Sequence, residues 1–239
     1  IKSAFVTILD CLNSQAAAGG EDQVTLEDMK RLLVSAKNTQ SRIVTKADLI
    51  SHIYMMPSRF GRVYRVGVRS NPDNPLATLL YIISRNSSGK LTISPDSLKD
   101  NLALFLNENR LISDAIDILD SPIIHIGVNY SVVVNDVANK KATTLTINSK
   151  IKKYFEVANF QIDQPIMTVD IQNIILNSPG VISLSEFEII NLNGSADGRV
   201  YSDVIFNIEQ NTYKGIISPE PGGIFEIRYP DFDILGVAE

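Results

Sequence analysis

Apolar residues recur along the chain at two spacings, and the change from one to the other marks its elements. Ala4, Phe5, Ile8, Leu9 and Leu12 stand at helical spacing, and so do Leu26, Met29, Leu32, Leu33 and Ala36. Two helices are therefore predicted before residue 40. Thr25 with Asp28, and Thr45 with Asp48, read as helix starts, because a threonine oxygen can accept from an unpaired amide of the first turn. Each such cap is worth about 1 kcal/mol. Gly19 and Gly20 form a flexible lead-in, since a glycine inside a helix costs about 1 kcal/mol. Pro57 stops the helix that begins at Thr45.

Alternation then takes over. Arg62 to Val68 predicts a strand with Tyr64, Val66 and Val68 on one face; Arg65 and Arg69 share the other, which should be solvated or paired with acids. Ala77 to Ile83 has no polar side and predicts a strand buried on both faces. Ser94-Pro95 opens a helix carrying Leu98, Leu102, Phe105 and Leu106. From Ile123 to Val134, apolar residues alternate with His125, Gly127, Asn129 and Ser131, which predicts a long strand with one wet face. Strand, strand, helix, strand gives an α+β fold, its mixed or antiparallel sheets covered by helices.

A polar break at 136–141 separates this from a second α+β region. There a helix is predicted from Thr143 or Thr144, with Leu145, Ile147, Ile151, Tyr154 and Phe155 on its stripe. A shorter helix follows from Thr168 with Ile171, Ile174 and Ile175. Val181 to Ile190 and Val200 to Ile208 are expected to pair. Tyr213 to Tyr229 reads as a C-terminal β-hairpin turned at residues 219–223. The predicted organisation is an N-terminal helical segment over 1–42, α+β domains over 43–139 and 140–210, and a β-hairpin tail over 211–239.

The wording of the capped stretch carries a resemblance. Gly19-Gly20-Glu21-Asp22, Thr25-Leu26-Glu27-Asp28 and Arg42-Ile43-Val44-Thr45-Lys46-Ala47-Asp48 resemble the signature of the baseplate J family, whose members build the baseplates of contractile phage tails. Pro179-Gly180-Val181, Gly215-Ile216-Ile217 and Gly222-Gly223-Ile224-Phe225-Glu226-Ile227-Arg228-Tyr229-Pro230 extend it; the last is similar to the C-terminal end of wedge ring subunits of T-even-like bacteriophages. The resemblance implies a structural virion protein, made late and assembled in the host cytoplasm. It implies association with a copy of itself as a homodimer in each wedge and as a ring between wedges. It further implies contacts with other baseplate wedge proteins, including the small lysozyme-like subunit. The chain, beginning at Ile1, then reads as the C-terminal portion of a longer protein.

Composition changes little in this picture. With 239 residues, 44% hydrophobic and 21% charged, the chain has enough apolar surface for its own core. A net charge of -5 argues against a nucleic-acid partner, whose binding needs a surplus of Lys and Arg. The lone Cys11, in an apolar stretch, excludes an internal disulfide and reads as a small buried residue. No apolar run is long enough for a membrane span.

Reactive chemistry is sparse. His52 and His125 have no neighbours at metal-ligand spacing, and no nucleophile elbow or phosphate-cradling loop is present, so no catalytic, metal or cofactor residue is assigned. Asn191-x-Asn193-Gly194-x-x-Asp197 offers oxygen ligands without the spacing of a calcium loop. The main competitor is Arg59-Phe60-Gly61-Arg62-Val63-Tyr64-Arg65, basic and aromatic as in an RNA-binding α+β module, although Tyr64 shares a face with valines. A structural protein should carry its function in surfaces. The candidate interface residues are Phe5, Ile8 and Leu12 in the first helix, and Phe225, Ile227 and Tyr229 near the C-terminus.

Overall fold

The computed structural model describes residue 30 and residues 43–238, apart from residues 75, 112–114, 136–138 and 197. The predicted helices before Thr45 thus lie, Lys30 aside, outside the described residues. Helix α1 (Lys46–Tyr54) starts where its sequence says it should. The Thr45 hydroxyl oxygen accepts from the Asp48 amide at 3.1 Å, and the Asp48 carboxylate accepts from the Thr45 amide at 2.9 Å. The two orphan donors are satisfied reciprocally.

A first sheet forms on β2 (Ala77–Arg85), flanked by antiparallel β1 (Arg65–Ser70) and by parallel β4 (Ala115–Asp120), with β3 (Leu91–Thr92) pairing its last residues. Central strand β2 carries buried side chains on both faces, Leu80 and Ile82 on one and Ile83 on the other, as its unbroken apolar run requires, whereas β4 leaves Asp117 and Leu119 exposed. On one side Val66, Val68, Leu80, Ile82, Ile116 and Ile118 pack against α1 and α2 (Asp96–Asn107), whose Leu98, Leu102 and Leu106 form the buried stripe. Tyr64 is buried as expected but belongs to the other side, with Ile83, Leu91, Ile123, Ile162 and Ile224.

The second sheet is built on β5 (Ile123–Val134). β7 (Val181–Asn191) runs antiparallel to it, while β12 (Ile224–Glu226) and β13 (Ile234–Ala238) run parallel to it, separated by the single turn α5 (Pro230–Asp233). Its inner face, including Ile126, Val128, Tyr130 and Val132, packs on α3 (Lys140–Tyr154) and α4 (Thr168–Leu176). Strand β5 does not have the wet face its alternation predicts. His125, Gly127 and Ser131 are buried; the Ser202 backbone covers His125, and Ile190 and Leu192 lie against Gly127. Leu145, expected on the buried stripe of α3, is 60% exposed, and Thr143 takes its place inward.

Other expectations fail at long range. Val200 to Ile208 does not pair with β7; only Arg199–Val200 is a strand, β9, closing a two-strand turn with β8 (Ser195–Ala196). Residues 213–229 are not one hairpin. β10 (Thr212–Tyr213) and β11 (Ile216–Ile217) form a tight hairpin that joins β6 (Ile166–Met167), and β12 leaves it to pair with β5. Since β5 precedes the polar break at 136–141 and its partners all follow it, the sheet runs across that expected boundary. The C-terminal residues are likewise sheet members rather than a separate tail.

A clasp joins the two sheets. Asp163, with φ of +65°, accepts from Arg69 Nε and Nη2 at 2.8 and 2.9 Å and from the Gly222 amide at 2.7 Å. A side chain at Gly222 would overlap the Tyr81 ring, and one at Gly67 would meet Ile162 at 2.5 Å.

Candidate functional site

The residues with chemical potential are mostly used inside the fold. The Ser202 amide donates to His125 Nδ1 at 2.8 Å, so Nδ1 carries a lone pair and the proton sits on Nε2, 3.0 Å from the Glu226 carboxylate. Glu226 also accepts from the Leu91 amide at 2.8 Å and lies 3.4 Å from Arg228 Nη1, which donates to the Leu91 carbonyl. With His125 and Glu226 only 5% and 1% exposed at their side chains, this network is out of reach of a substrate. Ser202 Oγ donates to the Ile123 carbonyl at 2.6 Å.

Beside this network, the Tyr201 hydroxyl donates to Asp233 at 2.7 Å, and the Tyr229 amide donates to the other oxygen of the same carboxylate. Burial pushes the Asp233 carboxyl above its ordinary value, and the two hydrogen bonds only partly offset it. His52 lies on the buried face of α1, and burial holds its imidazole below the usual histidine range. Among the described residues, no three His, Cys, Asp or Glu side chains stand close enough to share a metal ion. Asn191 spends its side chain on the His125 carbonyl and the Phe206 amide. Nor is any described helix long and apolar enough to cross a membrane.

The basic and aromatic stretch is also structural. Arg65 lies over the Tyr64 ring at 4.3 Å and donates to the carbonyls of Ala158 and Phe160, while Arg69 is held by Asp163. Tyr64 is 7% exposed and offers no platform for a base.

What remains is surface. The structure places Phe225 and Ile227 in the chain's own core, 3% and 5% exposed, so their apolar area is spent before a copy arrives. Tyr229 is half-buried, edge-on to Tyr201 and under Lys90 Nζ at 3.9 Å. Phe5, Ile8 and Leu12 lie outside the described residues. Other apolar residues are exposed instead. Met167, Ile216 and Tyr213 are paired across the small sheet and so form one row on its open face, while Ile166 and Ile217 pack inward. On β13, Leu235 and Val237 are 57% and 59% exposed. The sequence predicts a strand only for residues 213–217 and misses those at 166–167 and 234–238, which are too short to show a periodicity of their own.

No family model matches the chain, and no curated protein matches it. Among solved structures, it is similar to a chain in the cryo-EM structure of the anti-feeding prophage baseplate, six-fold symmetrised. The TM-score is 0.50 at 9% identity, over 91% of this chain and 42% of that one. At that identity the likeness is one of fold, and this chain spans about two-fifths of the other's length.

Proposed function

We propose that this chain is a structural subunit of a contractile-tail baseplate, a wedge protein that associates with its own copies and links wedges into a ring around the tail. The likeness of fold to a baseplate chain over nearly the whole length carries the reading. It is supported by the character of the molecule. Buried ionisable groups are tied into the framework, and exposed apolar rows are left for neighbours. The other wedge proteins, a small lysozyme-like subunit among them, are the partners such a protein would hold.

Two measurements test this. Immunogold labelling of tail particles with antibody against the chain should mark the baseplate end, and sedimentation should show mass growing with protein concentration. A chain absent from tail particles would sink the reading.

A further inference from the structure

The second half of the molecule is a two-layer unit whose opposite sides differ in charge. Helices α3 and α4 cover the inner face of the β7-β5-β13 sheet. On the outer face the register aligns Glu188, Asn129 and Leu235 in one row and Glu186, Ser131 and Val237 in the next. Both glutamates are exposed and neither is ion-paired among the described residues. Where β7 and β13 flank the more buried β5, this face exposes two carboxylates and two aliphatic side chains, a surface that favours a basic, partly apolar partner.

Such a surface exists on this chain. Helix α3 buries Thr143, Ile147 and Ile151, and its opposite stripe carries Lys141, Leu145, Lys152 and Lys153, all exposed. Lys152 reaches Asp231 at 3.2 Å, with both side chains largely in water, an arrangement of little strength. Because the lysine stripe and the acidic face point away from each other across the two layers, one molecule cannot bring its own pair together.

We propose that the outer sheet face bearing Glu186, Glu188, Leu235 and Val237 docks the Lys141, Leu145 and Lys152 stripe of α3 from a second copy of this chain. The contact is head-to-tail: each copy gives one surface and receives the other, so repetition closes a ring or continues as a filament. It rests on the reading of the chain as a self-associating ring subunit and names the surfaces that meet.

Charge reversal tests it on the 239-residue chain. Glu186→Lys with Glu188→Lys makes both surfaces basic; Lys141→Glu with Lys152→Glu makes both acidic. Each double variant should associate at least about tenfold more weakly than the parent in sedimentation. An equimolar mixture of the two should recover association, because each then offers what the other lacks. Circular dichroism checks that the exposed substitutions leave the fold intact. Either double variant associating as strongly as the parent overturns these surfaces while leaving the ring reading in place. Weakening by the glutamate reversal alone also overturns the proposal, since the sheet face would then serve a different chain. A parent that stays monomeric at all concentrations overturns the ring reading together with it.

Discussion

His125 and Glu226, 101 positions apart in sequence, meet at 3.0 Å with almost no exposure, and the backbone amides of Ser202 and Leu91 fix them from either side. Removing one member of a buried pair leaves the other without its partner. His125→Ala is therefore expected to lower unfolding stability by about 3 kcal/mol in urea titrations. Glu226→Gln should cost about 1–2 kcal/mol, because a single amide oxygen must then serve three donors, the Leu91 amide, His125 Nε2 and Arg228 Nη1.

Gly236 lies on β13 opposite Tyr130, and a methyl group there would overlap the phenol ring. Tyr130 is anchored by a 2.6 Å bond from its hydroxyl to Asn148 on α3, so it cannot swing away cheaply. Gly236→Ala is expected to lower the thermal midpoint, with a loss of about 1–3 kcal/mol. Gly194, where a side chain would meet open space, is the control; Gly194→Ala pays only for its φ of +67°, about 1 kcal/mol.

The clasp separates two contributions at Asp163. Asp163→Gly removes the carboxylate that Arg69 and the Gly222 amide bind but keeps the backbone at ease, whereas Asp163→Ala loses the same bonds and adds strain at positive φ. Chemical denaturation should find the alanine variant about 1 kcal/mol less stable than the glycine one. Equal stabilities would mean that the backbone at this position relaxes.

Asp233 gives a pH dependence of definite sign. Its folded carboxyl binds a proton more readily than the unfolded one, because burial raises it above the ordinary aspartate value. Its contribution to stability is thus fullest below that value and is lost as pH rises through the folded one. Denaturation midpoints measured as pH rises from below the ordinary aspartate value should show this component, superimposed on the opposite trend of ordinary carboxylates, and Asp233→Asn should remove it.

Phe225 and Tyr213 should behave oppositely. Phe225 is packed against Phe206 in the core, and Phe225→Ala is expected to cost about 3–5 kcal/mol. Tyr213 is 71% exposed, so Tyr213→Ser should change stability by no more than about 0.5 kcal/mol. Thermal melts of the two variants check both.

These contrasts show what was legible in the sequence. Thr45 with Asp48, the apolar run of β2 and the isoleucines of α4 announced their structures because the signal and its cause lie within a few residues. His125 did not. A polar residue alternating with isoleucines reads as solvent-facing, and only the distant arrival of Glu226 and Ser202 turns that position inward. Phe225 and Ile227 misled in the same way: their alternation with Glu226 and Arg228 suggested an interface, yet Glu226 is as buried as they are. The isoleucines at 216 and 217 revealed a strand, but assigning Ile217 inward and Ile216 outward required the register with β6.

The parallel pairing of β13 with β5 also governs how the molecule can be born. Residues 128–132 leave the ribosome long before residues 234–238, and β7 can occupy only one edge of β5 in the interval. The backbone groups of the other edge must wait until residues 234–238 have been made, which leaves the nascent chain vulnerable to strand capture in the interval and gives a trailing chaperone something to guard.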